Sequence, residues 1–443
     1  MATIIEPISI PTLRHISDDF VMFAGAGRAV AYHIASGDLI GKEGFIQYCS
    51  KHYGRIVIVE DGNPRNMESG VAWWNWSDDS KRAVRRVVME PTTEPEDGPN
   101  QDHTVFNRWH VLKREMAIPD MSITGDSIQP LIDHLMYISD GDHAGVMYFL
   151  NWLAQLWRFP GTKIPTAIML YSKHSRVGKS TLAKLLRAVF GPSLVKSIDG
   201  LKMHGNFMDA FEHKRIAVLN ELARTDKQDS YERFKSLVSE EEMEFEGKGR
   251  ASKEVQNHLH FIVTTNNPDA LPLMEGDGRV LVLRCESERR SNEYYRELYA
   301  WIDGPGPALL AGAFAQWQFP VDWDYKAPVP QTDAVRKTQK ESRSPLSSFI
   351  EELIDQQRPP FDRDMGRITG LVEQLGTLYP VNIKGLRLNN RTLPAALTGL
   401  GGKQIPTVYT ATNGKRISCG VWCWRNQLKW ENTTGEERSE HFN

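Results

Sequence analysis

The chain has 443 residues, with 53 Lys and Arg against 56 Asp and Glu for a net charge of −3; at roughly 150 residues per domain this is about three domains. The near balance excludes a uniformly basic nucleic-acid coat, and a composition of 40% hydrophobic and 25% charged residues excludes a disordered chain. The four cysteines, Cys49, Cys285, Cys419 and Cys423, form no CxxC pair, which excludes a disulfide scaffold or four-cysteine zinc site and suits a reducing cytoplasm.

Residues 1–120 read as a small accessory α+β domain of short strands and turns, with an aromatic run WWNW at 73–76 and a loop-like segment TTEPEDGPNQD at 92–102. The opening MATIIEPISIPT lacks the pattern of a signal peptide. Residues 121–163 carry apolar residues at helical spacing (Leu131, Leu135, Met136, Met147, Leu150, Leu153, Leu156) and form a helical lead-in. Its most apolar stretch, 146–157, is too short to span a bilayer, so no membrane partner is expected.

Residues 164–325 alternate apolar strands with helical patterns, as a parallel α/β domain does. Within them, TAIMLYSKHSRVGKSTLAKLLRAVFG (166–191) sets a strand before a loop ending Gly178-Lys179-Ser180-Thr181 and an amphipathic helix after it. Backbone N–H groups of Ser175, Arg176, Val177 and Gly178 and the helix start can cradle a phosphate. Lys179 would reach the β/γ-phosphates of ATP, and Ser180, with Thr181 beside it, would meet Mg2+. Lys173 stands where the GxxxxGK[ST] pattern has its first glycine. A helix start that merely reads GKST is the plainer alternative.

In RIAVLNELA (215–223) four apolar residues precede Asn220-Glu221, resembling a Walker B strand end. Glu221 would polarise the attacking water and join Ser180 at the metal; Asn220 stands where an aspartate is usual, and supplies no charge. The strand HFIVTTNN (260–267) offers Asn266 as a polar sensor of the γ-phosphate. Arg279, in MEGDGRVLVLRCE just before another strand, is placed to act as an arginine finger on a neighbouring subunit's nucleotide, and Arg284, taken to follow that strand, is the poorer candidate.

Together these motifs resemble the superfamily 3 helicases of viruses and plasmids, nearest the helicase portion of phage and plasmid primase-helicases. The similarity runs from about residue 106, with FNRW (106–109) and YFLNWLAQLW (148–157), to Arg284. Its most diagnostic part is FKSLVSEEEMEFEGKGRASKEVQNHLHFIVTTNN (234–267), similar to the family's motif B′ hairpin running into the sensor. The resemblance implies an AAA+-like P-loop core and a ring, usually a hexamer, with ATP between subunits and single-stranded DNA in the central channel. It implies roles for Glu221 as base, Asn266 as sensor and Arg279 as finger in trans. It places Lys248, Arg250 and Lys253 near a DNA-gripping hairpin tip, behind a strand made acidic by Glu240, Glu241, Glu242, Glu244 and Glu246.

Residues 326–345 read as a linker or hinged helix, and residues 346–432 as three helices and a hairpin turning at Asn413-Gly414, the order of a winged helix. Residues 381–430 hold eight Lys and Arg and no acid, interleaved with Tyr409, Trp422 and Trp424. Arg391, Lys415 and Arg416 would meet duplex DNA there. Residues 433–443 read as a polar tail.

The sequence thus predicts an ATP-dependent DNA helicase or translocase of phage or mobile-element replication, working in a bacterial host's cytoplasm. The alternative is a nucleotide-assembled DNA-binding initiator without motor activity, which Asn220 favours. A small-molecule kinase would leave the hairpin and the basic C-terminal unit unused. Priming is expected from a separate partner, since the acidic doublets Asp322/Asp324 and Asp362/Asp364 lack a metal-site pattern.

Overall fold

The computed structural model describes every residue except 1–3, 26, 97, 99–101, 200–207, 221–226, 246–252, 269, 272, 274–275, 342–343, 411–415 and 443. The N-terminal unit runs β1 (Ile4–Ile5), α1 (Ile10–Asp19), β2 (Phe20–Phe23), β3 (Val30–His33), β4 (Leu39–Ile40), α2 (Lys42–His52), β5 (Arg55–Glu60), β6 (Asn63–Glu68) and α3 (Ser69–Asn75). It closes with β7 (Ala83–Val84), β8 (Arg86–Val88), β9 (Val105–Asn107) and α4 (Trp109–Leu112). Two small sheets, ordered β1-β5-β6 and β4-β3-β2-β7, enclose a core that includes Phe20, Phe45, Ile58 and Trp73. The aromatic run at 73–76 lies in α3 and the turn after it, and Trp73 is fully buried with its indole N–H donating to Ser17 Oγ at 2.8 Å.

The central unit opens with α5 (Gln129–Ile138) and α6 (His143–Arg158). The Asp142 carboxylate caps α6 by accepting from Gly145 N at 2.9 Å. From Gly145 to Leu156 this helix is buried on all but one residue, which is why its sequence is apolar nearly all round. Five parallel strands follow: β10 (Ala167–Ser172), β11 (Val195–Asp199), β12 (Ile216–Asn220), β15 (His260–Thr265) and β16 (Val280–Cys285). They lie in the order β11-β12-β15-β10-β16. Helices cover both faces, so strands such as VLVLRC read as unbroken apolar runs. The covering helices include α7 (Lys179–Phe190), α8 (Lys227–Ser239), α9 (Asn292–Asp303) and α10 (Gly306–Ala315). An antiparallel hairpin, β13 (Glu242–Phe245) with β14 (Lys253–Gln256), projects between α8 and β15.

Residues 326–345, expected as a linker, carry α11 (Asp333–Glu341) docked on β16. The apolar Val335 is fully buried there, and the Val329 N–H donates to the Gly278 carbonyl at 2.8 Å. The C-terminal unit runs α12 (Pro345–Asp355), β17 (Met365–Gly366), α13 (Ile368–Leu378), α14 (Thr392–Gly399), β18 (Lys403–Thr410), β19 (Arg416–Cys423), α15 (Gln427–Glu431) and α16 (Gly435–Phe442). The order of three helices and a hairpin is the one read from the sequence, with the short β17 added at the sheet edge beside β19. The hairpin turn at Asn413-Gly414 lies outside the described residues.

Two expectations for this unit are corrected. The polar tail is α16, anchored because the Arg438 guanidinium turns inward and donates to the Trp430, Pro406 and Glu431 carbonyls at 2.7–3.0 Å. The aromatics interleaved with the basic residues are mostly core: Tyr409 and Trp424 are buried, and the Trp424 indole donates to the Arg363 carbonyl. No helix of the described residues is long and apolar enough to cross a membrane.

Candidate nucleotide site

Parallel α/β sheets bind ligands at the carboxyl ends of their strands, where the order of connections reverses. Here β10 and β12 are separated by β15, so the three strand ends carrying the sequence-predicted residues lie side by side. A cavity of about 430 Å3 opens over them, lined by Ser175–Ser180 and by Asp199, Asn220, Thr264, Thr265 and Asn266. Those include every described residue expected at the nucleotide except Thr181, whose hydroxyl is buried 3.1 Å from Tyr299 Oη in α9.

The loop between β10 and α7 has two left-handed residues, Arg176 (φ 63°) and Gly178 (φ 105°). Lys173 is not one of them; its N–H instead extends the ladder with β16 by donating to the Cys285 carbonyl at 2.9 Å. A lysine is therefore conformationally acceptable where the pattern has glycine. Gly178 is the N-cap of α7 and offers no capping side chain, so the helix end faces the cavity as an anion site. A Cβ at Gly178 would stand 2.4 Å from His134 Cε1, so both the backbone angle and the packing require glycine.

His134, on α5, is a contributor to which no sequence motif pointed. It is 1% exposed, and burial pushes its pKa down to about 4, so the ring is neutral. The Gly178 carbonyl can only accept, so Nε2–H donates to it at 3.2 Å and Nδ1 accepts from the Tyr294 hydroxyl at 2.9 Å. Behind this pair the Arg290 guanidinium lies 4.7 Å from Tyr137 and 4.9 Å from Tyr294, packing α9 on α5.

On the other side of the cavity the Lys179 ammonium donates to Asn266 Oδ1 at 2.5 Å and to Ser172 Oγ. Asn266 Nδ2 in turn donates to Ser175 Oγ at 2.8 Å. Lys179, Asn266 and the loop after β10 thus form one hydrogen-bonded set. Asn220 Oδ1 accepts from Thr264 Oγ1 at 2.7 Å, while its Nδ2 donates to Ser197 Oγ at 3.0 Å and Asp199 Oδ1 at 2.5 Å. Asp199 sits directly opposite Asn220 in the β11–β12 register and was not singled out from the sequence.

Glu221, the expected base, lies outside the described residues, as do Lys248, Arg250 and Lys415; Lys253 begins β14, and its side chain is not described. The hairpin base is well defined. The Lys163 ammonium donates to the Leu237 carbonyl at 3.0 Å and the Leu259 carbonyl at 2.5 Å, and burial lowers its pKa to about 7. Asn257 Nδ2 donates to the Leu237 and Glu240 carbonyls, each at 2.8 Å. The carbonyls at the end of α8 are therefore capped by Lys163, from the segment before β10, and by Asn257, just after the hairpin.

Arg279 does not line the cavity of its own chain; its guanidinium donates to Ser239 Oγ at 3.0 Å and pairs with Asp277 at 3.3 Å. Arg284, expected beyond the strand, lies inside β16 and is 7% exposed, because it is the buried half of an ion-pair network with Glu286 and Glu341. Hydrogen bonds from Lys337 and Arg284 hold the Glu286 carboxyl down to about 2. In the C-terminal unit Arg391 and Arg416 are exposed, whereas Arg425 is turned inward onto Asp364 and the Phe361 carbonyl.

Among the described residues no group of three or more His, Cys, Asp or Glu could hold a metal. A nucleotide-bound Mg2+ needs fewer protein ligands, because phosphates and water supply the rest. The ligand atoms the cavity offers, the Ser180 hydroxyl, the Asn220 carbonyl oxygen and the Asp199 carboxylate, are all oxygens without thiolate, and fit that ion.

A family of unknown function (DUF5906) matches residues 170–286, which span β10 to just past β16. The DNA primase-polymerase of Nitratiruptor phage NrS-1 is 22% identical over 165 residues, 36% of this chain and 23% of that protein. The match therefore takes in less than a quarter of that relative. Two apo structures of the NrS-1 C-terminal region (305–718) superpose with TM-scores of 0.57 and 0.56 at 16% identity. They cover 92% and 90% of this chain and 98% and 95% of theirs. The chain is related to a phage primase-polymerase and has the mixed α/β fold of that protein's C-terminal region. Neither name states a helicase or ATPase activity.

Proposed function

We propose that the chain binds ATP with Mg2+ and uses it as a DNA helicase or translocase in phage DNA replication. The observation that carries this reading is the hydrogen-bonded set of Lys179, Asn266 and Ser175 at the carboxyl ends of neighbouring parallel strands, over an uncapped helix N-terminus. In this reading the N–H groups of the loop and the start of α7 take the β-phosphate, and Lys179 leaves Asn266 for the γ-phosphate. Asn266, released from the lysine, then orients the lytic water, with Glu221 as base. The bound Mg2+ would neutralise charge on the transferring phosphoryl group. Relation to a phage primase-polymerase supports a role in replication, and the hairpin and the exposed Arg391 and Arg416 supply surfaces for single-stranded and duplex DNA.

Arg279, half-exposed and bonded among the described residues to neutral Ser239 and to Asp277, stands outside the buried network that fixes Arg284. It suits a finger reaching a second copy in a ring, in which hexamer geometry places DNA in the channel. Priming is assigned to a separate partner or another segment.

A nucleotide-assembled initiator without motor activity is the second reading, and the neutral Asn220 favours it. ATP hydrolysis with and without single-stranded DNA, measured beside Lys179→Ala, decides between them. DNA-stimulated hydrolysis abolished in the variant is expected for the motor. Nucleotide binding without stimulated hydrolysis selects the initiator, and absence of binding overturns both.

A further inference from the structure

The acid missing from the end of β12 has a counterpart one strand away. β11 and β12 are parallel and in register, with Asp199 opposite Asn220, so both side chains emerge at the rim of the same cavity as Ser180 and Lys179. The Asn220 amide has one allowed orientation there. A carboxylate only accepts, so the Nδ2 donor must face Asp199 Oδ1, at 2.5 Å, and the carbonyl oxygen is left to accept from Thr264 Oγ1, at 2.7 Å. Ser197 Oγ, also from β11, takes the second amide hydrogen at 3.0 Å. Asn220 is therefore a bracket: it brings no charge to the cavity, but it fixes the position of a neighbour that does.

We propose that Asp199 supplies, from the adjacent strand, the negative charge that position 220 lacks, and holds the water shell of the nucleotide-bound Mg2+. The inference rests on the nucleotide-binding reading. Its chemistry is ordinary for this ion, which keeps several of its waters and accepts one or two carboxylates around a phosphate-bound centre. An amide in Asp199's place would still hydrogen-bond Asn220 but would leave the described lining of the cavity with positive charge alone, from Arg176, Lys179 and the helix end. A chain with Asn220 and Asp199 exchanged would keep one carboxylate and one amide in contact across the same two strands.

The test uses the full chain with Asp199→Asn, Asp199→Glu and the double exchange Asp199→Asn with Asn220→Asp. Nucleotide affinity is first measured in metal-free buffer, which reports on the phosphate loop alone. Mn2+ affinity of the nucleotide-bound protein is then read by electron paramagnetic resonance. Asp199→Asn is expected to leave metal-free nucleotide affinity within about twofold and to weaken Mn2+ by about tenfold, the lower end for an outer-shell partner. The double exchange should recover most of that loss, and Asp199→Glu part of it. Unchanged Mn2+ affinity in Asp199→Asn overturns the proposal, as does a double exchange that stays folded yet binds Mn2+ no better than the single variant. If the unaltered chain binds nucleotide neither without metal nor with it, the nucleotide reading has failed and this one falls with it.

Discussion

Arg284 and Glu341 form a two-pronged ion pair, with guanidinium nitrogens 2.6 and 2.9 Å from the two carboxylate oxygens. The pair ties the last turn of α11 to the edge strand β16, and the guanidinium also lies 4.5 Å over the Tyr171 ring of β10. Arg279, five residues earlier, has no such anchorage. Arg284→Ala should therefore act on folding, lowering stability by about 1–3 kcal/mol because it removes a buried guanidinium with charge-assisted bonds to two carboxylates that are themselves about one-third exposed. Arg279→Ala should leave the thermal midpoint nearly unchanged and cut hydrolysis at saturating ATP by at least about 10³-fold, as expected for a finger. Thermal melts beside turnover measurements separate the two; an Arg279→Ala enzyme with normal turnover removes the finger assignment.

His134 supports the phosphate loop through the Gly178 carbonyl. Its folded pKa of about 4 lies below the ordinary value, so between about pH 6.5 and 4 the unfolded chain takes up the proton and the folded one does not. Its contribution is present above that window and is lost as pH falls through it. His134→Ala should cost about 1–3 kcal/mol for the unsatisfied carbonyl and flatten this acid limb in equilibrium unfolding. An unaltered limb in the variant would assign the acid sensitivity elsewhere.

Lys163 acts in the same direction in a higher pH window. Its pKa of about 7 against an unfolded value near 10.5 means that the unfolded chain holds the extra proton between them, so this group makes stability rise with pH across that interval. The limiting slope is about 1.4 kcal/mol per pH unit. Lys163→Met should remove the slope and also increase amide hydrogen exchange at 237–259, where the two capped carbonyls lie. Exchange there that matches the parent chain would show the cap to be dispensable.

In the C-terminal unit, Arg391→Glu and Arg416→Glu should weaken duplex binding at all sequences alike and lower the salt dependence by about one unit each. Arg425→Glu, a change at an inward-facing residue, should instead lower stability. Fluorescence anisotropy at several salt concentrations checks the first pair, and a salt slope unaffected by either substitution would clear that face of DNA.

Much of the central unit was legible because its signals are local. The strand, loop and helix over 166–191 follow from periodicity and a glycine-lysine pair, and the hairpin between α8 and β15 was implied by the resemblance carried by 234–267, with which its charge pattern agrees. What escaped was set by pairing across the sheet. Asp199 has no motif around it, and its importance comes only from register with a residue 21 positions later. His134 stands 44 residues before Gly178 on a helix whose apolar spacing declared nothing but packing. Arg438 and Tyr409 carry polar or aromatic signatures of a surface, yet tertiary contacts draw them inside.

The polar residues around the cavity sit at strand ends, while the strand interiors beneath them are filled by Ile168, Met169, Val218, Leu219, Ile262 and Val263, all essentially inaccessible. Stability and chemistry are thus assigned to separate residues on the same strands. A sheet so divided tolerates exchange at its rim without risking collapse of its interior, and selection can try new side chains there one at a time. Lys173 and Asn220 both sit on that rim, and each has a bonding partner there, the first in the backbone of β16 and the second across the sheet on β11.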